Sequence, residues 1–112
     1  HQVGNDNPQP FIQSYQALGI DAHVFQFHNQ LELIYPAADL VICRSGAGTL
    51  FETAHFKKRC ITVPLEGITD HQKNNAESFQ KMHPDTFTIV LQCDAERNPL
   101  LVLDCLYASL TA

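Results

Sequence analysis

Apolar and polar positions along this chain change their period from block to block, and each block predicts an element. "NPQPFIQSYQALG" places Pro10 near a helix start, spaces Phe11, Tyr15 and Leu18 along one face and supplies Gly19 as a stop, which predicts a helix over about 10 to 18. "AHVFQF" (22–27) is rich in β-branched and aromatic residues and reads as a strand. "NQLELIYPAAD" predicts one or two helical turns ending near Pro36, and the continuous apolar run "LVIC" (40–43) is typical of a central parallel strand. A glycine loop then leads into a helix over about 50 to 57. "CITVP" (60–64) is another buried strand closed by Pro64, and "LEGITD" is a loop. Residues 71–82 read as a helix with Ala76, Phe79 and Met82 on one side, followed by the strand "TFTIVL" (86–91). Leu100, Leu103, Leu106 or Tyr107, and Leu110 recur at helical spacing, so an amphipathic helix is expected from about Pro99.

Strands alternating with helices are the pattern of βαβ units that build a mostly parallel sheet, so the fold class is α/β. No internal repeat, low-complexity tract or linker interrupts it. At 112 residues and 45% hydrophobic, the chain has the size of one ordinary domain with a single core. The opening "HQVG" reads as the exit of a strand, so the sequence is expected to be part of a longer chain.

Charge and cysteine usage narrow the classes of function. A net charge of -5, from 7 Lys+Arg and 12 Asp+Glu, argues against the broad basic footprint that nucleic acid demands. Cys43, Cys60, Cys93 and Cys105 are widely spaced and each lies in an apolar stretch, where a reduced thiol packs as a small hydrophobe; a cytosolic, reduced protein fits. His1, His23, His28, His55, His71 and His83 show no metal-ligand spacing, so no metal is expected. No apolar run approaches the ~20 residues of a membrane helix, and no export leader is recognisable.

The chemistry is expected at the carboxyl ends of the strands, where open α/β sheets bind ligands. Two loops share that address, "RSGAGT" after "LVIC" and "LEGITDHQ" after "CITVP", and they should be neighbours. Gly46 and Gly48 lack a Cβ, which allows positive φ and close approach to the backbone amides. The helix that follows offers unpaired N–H groups to a phosphate or sugar oxygen, and Ser45 and Thr49 add hydroxyls. The loop is neither a Walker P-loop nor G-x-G-x-x-G, so ligand contact and a plain strand-to-helix turn both stand as readings. Thr49 and Glu52 match a capping box, which spacing alone favours over a carboxylate that accepts hydrogen bonds from a vicinal diol such as ribose. Asp70 is either an N-cap or part of the site, and His71 and Gln72 offer donors and acceptors at the same edge. Arg44 either pairs with a phosphate or is a solvated surface charge.

Taken together, "AADLVICRSGAGTLFET", "ITVP" and "DHQKNNA", in this order and spacing, resemble the C-terminal domain of the MurG-type glycosyltransferases of glycosyltransferase family 28. The match runs over roughly residues 1 to 91 and takes in "HQVG" and "FQFHNQLELIYPAAD". The resemblance implies a three-layer Rossmann-like parallel sheet, the C-terminal half of a GT-B fold, with residues 1–112 a partial donor-binding domain. It implies UDP-GlcNAc as donor and a lipid-linked acceptor, undecaprenyl-pyrophosphoryl-MurNAc-pentapeptide of peptidoglycan synthesis. The acceptor would be held by an N-terminal domain that also supplies the membrane-facing patch and the general base, at the cytoplasmic face of the membrane. No cofactor is implied.

By the same resemblance Glu52 sits at the ribose-binding position, which reverses the cap-first ranking. The backbone around Phe27 and His28 would read the uracil edge. Ala47, Gly48 and Thr49 would lie near the sugar and phosphates, while His71, Gln72 and Asn75 would meet the GlcNAc hydroxyls. The family's first strand and G-G-S-x-G loop have no counterpart in these residues, so this piece is expected to be an incomplete half-site. A similar "GAGT…ET…NHQ" arrangement occurs in the small subunit of dolichol-linked chitobiose synthase, which implies the alternative of a non-catalytic nucleotide-sugar-binding subunit with a membrane partner. "HQVG" and the arginine of "CRSGAGT" favour the bacterial enzymes.

Overall fold

A computed structural model of the chain describes residues 1–67 and 70–111. They divide into two compact units, His1–Leu33 and Ile34–Ala112.

In the first unit, helix α1 (Gln9–Ala17) forms where the Pro10 and Gly19 signals place it. Pro10 falls in the first turn, where its missing N–H costs nothing. Gly19 takes φ +67°, and the N–H groups of Gly19 and Ile20 donate to the carbonyls of Gln16 and Tyr15 at 3.1 and 2.9 Å. That pair of bonds satisfies the last carbonyls of the helix with a left-handed residue that only glycine adopts freely. The inward side carries Ile12 and Tyr15, whereas Leu18, expected on the same face, is exposed.

The strand expected over 22–27 is reduced to one parallel bridge, Gln2 with Phe25. Three backbone bonds hold it: Val3 N–H to Phe25 O, Gly4 N–H to Gln26 O and Phe25 N–H to His1 O. These bonds engage His1, Val3 and Gly4 on one side and Phe25 and Gln26 on the other.

The second unit holds the sheet. Helix α2 (Leu31–Ile34), of which only Ile34 belongs to this unit, leads into a 3₁₀ turn, Tyr35–Ala37, with Pro36 near its start. Strands β1 (Val41–Cys43), β2 (Cys60–Thr62) and β3 (Phe87–Ile89) pair in parallel in the order β1-β2-β3, with Ile42 beside Ile61 and Ile61 beside Thr88. Helices α3 (Ala47–His55) and α4 (His71–Met82) are the crossovers, which makes two successive βαβ units of a Rossmann-like α/β sheet.

Leu50 of α3, Cys60, Phe79 of α4 and Phe87 form the core on one face, with Cys43 and Ala54 against them. Ile61 points to the opposite face and is fully buried; α6 (Leu100–Thr111) is the helix that meets β2. Thus helix, sheet and helix make three layers. Met82, expected beside Ala76 and Phe79, is exposed. All four cysteines are free thiols, and those of Cys43 and Cys60 lie 3.6 Å apart across β1 and β2.

Two differences in the tail have a local cause. Helix α5 (Gln92–Arg97) occupies a stretch for which no element was expected; the Glu66 carboxylate accepts the Cys93 N–H at 3.0 Å and so supplies its start. Helix α6 forms as expected, but its inward stripe is Leu101, Val102, Cys105, Leu106 and Ser109. Leu100, Leu103, Tyr107 and Leu110 are exposed. Apolar residues surround this helix on both sides, so spacing alone does not say which stripe turns inward. Among the described residues, no helix is long and apolar enough to cross a membrane.

Candidate functional site

The glycine loop is shorter than its sequence suggests, because α3 begins at Ala47. Gly46 is its N-cap, with φ -66° and ψ 139° and no side-chain cap bond. Ala47, Gly48 and Thr49 are therefore its first turn, with amide N–H groups that no carbonyl within the helix can accept. Neither Gly46 nor Gly48 takes positive φ, so the left-handed freedom that a missing Cβ allows is not used here. A Cβ built on either would meet no heavy atom within 4 Å. Backbone conformation and packing thus leave both positions open to alanine.

The capping box is also displaced. Thr49 is the third helical residue and Glu52 the sixth, so Glu52 is too far along α3 to return to the N-cap. It lies instead on the helix face of Gly48 and Thr49, at spacings of four and three. The Glu52 side chain is exposed, and its Oε2 accepts the Tyr35 hydroxyl at 3.2 Å. Tyr35 is buried, with its ring stacked on Phe56 at 5.1 Å and 7°. Burial raises the Tyr35 pKa above its usual value; the Thr53 hydroxyl opposes this and the Glu52 carboxylate adds to it.

The two loops at the carboxyl edge are neighbours, and Gln72 is what joins them. Its Oε1 accepts the N–H of Ser45, after β1, at 3.1 Å and the N–H of Leu65, after β2, at 2.8 Å. Asn75, one turn along α4, donates its Nδ2 to the Ser45 carbonyl at 3.2 Å. The Ser45 hydroxyl is 2.6 Å from that of Thr62, and both residues are fully buried. Ser45 is thus held by its N–H, its carbonyl and its hydroxyl, which corrects its reading as a donor offered to a ligand. Its hydroxyl is turned into the sheet.

The remaining expected residues fall as follows. Asp70 holds the N-cap position of α4 without a side-chain cap bond, so the capping reading gains the place but not the interaction. His71 is exposed in the first turn of α4, and Gln72 Nε2 has no partner among the described residues. Thr69, expected on the rim of the second loop, lies outside the described residues, as does Ile68. Arg44 is exposed, but its guanidinium donates to the Gln92 Oε1 at 2.9 Å and to the Val63 carbonyl at 3.4 Å. His28 belongs to the first unit, where its Nδ1 accepts the Gln30 N–H at 3.0 Å and its ring meets Phe25 edge-on.

Tyr35, Thr62 and Gln92 have no counterpart in the sequence reading. Thr62 carried the one usable signal, a hydroxyl inside an otherwise apolar strand. Among the described residues, no group of three His, Cys, Asp or Glu could hold a metal ion.

The family model for the glycosyltransferase family 28 C-terminal domain matches residues 1–96. Three similar curated proteins share one name, UDP-N-acetylglucosamine–N-acetylmuramyl-(pentapeptide) pyrophosphoryl-undecaprenol N-acetylglucosamine transferase. The one from Geobacter sp. (strain M21) is 37% identical over 107 residues, covering 93% of this chain and 28% of the relative. That from Citrifermentans bemidjiense is 38% identical over 95 residues, 84% of this chain and 26% of the relative. That from Trichlorobacter lovleyi is 42% identical over 82 residues, 72% and 22% respectively. The chain therefore spans about a quarter of the length of the curated relatives it matches. No solved structure matches it.

Proposed function

We propose, from the premise that this chain belongs to the glycosyltransferase family 28 C-terminal domain family, that it is the donor-binding part of an inverting N-acetylglucosaminyltransferase. The donor is UDP-GlcNAc, and the acceptor is undecaprenyl-pyrophosphoryl-MurNAc-pentapeptide, the precursor of lipid II in peptidoglycan synthesis. The relatives' shared name supports that pair of substrates. The acceptor and the general base are assigned to a separate N-terminal domain, which also carries peripheral association with the cytoplasmic face of the membrane.

One observation carries the donor site. Gly46 and Gly48 stand at the start of α3 without positive φ and with open space where a Cβ would be, so an approaching ligand is the reason left for two glycines. The amides of Ala47, Gly48 and Thr49 meet the pyrophosphate, where the helix dipole favours negative charge. Glu52, on the same helix face, takes the ribose diol as a charged acceptor. Gln72 Nε2, His71 and Asn75 border the sugar. Asp70 and Arg44 complete the rim.

Transfer then breaks the bond from C1 of GlcNAc to the UDP oxygen while the acceptor hydroxyl oxygen bonds to C1 from the opposite face and gives its proton to the general base of the N-terminal domain. The departing UDP carries the developing negative charge, which the α3 amides stabilise without rearranging. No covalent intermediate or metal is needed from these residues.

Calorimetric titration of the full-length protein with UDP-GlcNAc, UDP and ADP tests the reading. UDP and UDP-GlcNAc are expected to bind and ADP to bind far more weakly. Glu52→Ala should weaken UDP about 10- to 150-fold, the worth of hydrogen bonds to a charged group. Equal affinity for UDP and ADP, or unchanged UDP affinity in a folded Glu52→Ala protein, would overturn it.

A further inference from the structure

Resting on the donor-site reading, we infer that Tyr35 is a positioning residue for ribose recognition: its hydroxyl fixes the Glu52 carboxylate so that the other oxygen faces the nucleotide's diol. The hydroxyl donates to Glu52 Oε2 at 3.2 Å, and the two residues come from different elements, the 3₁₀ turn Tyr35–Ala37 and helix α3. A glutamate on an exposed helix face has three side-chain torsions to settle before its oxygens can meet a diol. Tyr35 has almost none left to lose. Its ring is buried and stacked on Phe56, the C-cap of the same helix that bears Glu52.

One rigid donor thus holds one carboxylate oxygen, and the ordering of Glu52 is done before the ligand arrives. Oε1 keeps its acceptor capacity for the 2′- and 3′-hydroxyls. A phenol is suited to this task because it is neutral below its own ionisation, so it orders the carboxylate without cancelling its charge. The competing account is that a buried tyrosine hydroxyl needs some partner and the carboxylate is merely near.

Comparing UDP with 2′-deoxy-UDP in the full-length protein separates these accounts. The wild type should prefer UDP, and Tyr35→Phe, which keeps the stacked ring and removes only the hydroxyl, should cut that preference about fivefold, the worth of one ordinary hydrogen bond. Glu52→Gln should remove most of the preference, and adding Tyr35→Phe to it should change the ratio no further, because both changes act through one carboxylate. If Tyr35→Phe weakens both nucleotides equally, or neither, Tyr35 only packs and the inference falls. If Glu52→Gln leaves the preference intact, the diol reading itself fails and takes the inference with it.

Discussion

Gly48→Ala separates a ligand-bearing loop from a plain turn, because the two accounts predict opposite balances of stability and binding. Gly48 is the second residue of α3, has no positive φ, and would place its new Cβ in open space with nothing within 4 Å. Alanine restricts the unfolded chain more than glycine and suits the helix better, so the substitution should stabilise the fold by about 0.5–1 kcal/mol. For a domain of this size that is a rise of roughly 2–8 °C in Tm. The same methyl group would stand over the amides proposed to meet the pyrophosphate. Losing one well-formed bond from N–H to a charged phosphate oxygen costs about 1.5–3 kcal/mol, which weakens UDP about 10- to 150-fold. Thermal melting followed by circular dichroism, paired with calorimetric titration of UDP, reads both numbers on one sample. A raised Tm with UDP affinity held within about twofold would show that no ligand approaches this turn. A lowered Tm would refute the local geometry itself.

Two further outcomes follow from the bonds at the same edge. Gln72→Ala removes the acceptor shared by the Ser45 and Leu65 N–H groups and should destabilise by about 1–3 kcal/mol, weakening UDP and, through the lost Nε2 contact, UDP-GlcNAc more, whereas Gln72→Glu keeps an acceptor oxygen and most of the stability; unchanged affinity for UDP with loss for UDP-GlcNAc alone would reduce Gln72 to a sugar contact. The raised pKa of Tyr35, caused first by burial, means the folded state holds its proton longer than the unfolded chain does, so this contribution to stability is full below the ordinary value of 10.0 and is lost as pH rises through the folded value. Urea midpoints should therefore fall less steeply above pH 10 in Tyr35→Phe than in the wild type, and parallel slopes would contradict the shift.

Much of the fold was legible because its strongest signals are local. Residues 71–82 form a helix over the expected span, and Pro10 and Gly19 punctuate α1 where their backbone preferences require. The strands were legible as apolar runs, but their lengths were not. "TFTIVL" yields Phe87–Ile89, paired with the three residues of β2, and "AHVFQF" a single bridge, because ladder length depends on pairing that an apolar run does not record. The capping box failed for a related reason: its spacing is right only if Thr49 is the N-cap, and the helix instead takes Gly46. Nothing in Thr49-x-x-Glu52 itself records where the preceding strand runs out. In α6, leucines on every side left the inward stripe to be chosen by the sheet it meets.

The sequence marks which polar residues stand at the carboxyl edge but not which contacts they make, and Gln72 shows why. One end of its amide, Oε1, accepts from two backbone groups and holds the loops after β1 and β2 together; the other, Nε2, has no partner among the described residues. A side chain with an acceptor and a donor on one carbon can be framework and ligand contact together. Ser45 is the opposite case, because its single hydroxyl meets Thr62 and is fully buried, out of a ligand's reach. Residue type alone ranks serine and glutamine alike as polar groups beside a glycine loop. What separates them is the number of polar atoms each side chain carries against the number the backbone around it takes up. On that count Ser45 is wholly framework, Glu52 keeps one oxygen after Tyr35 takes the other, and Gln72 keeps its two N–H donors.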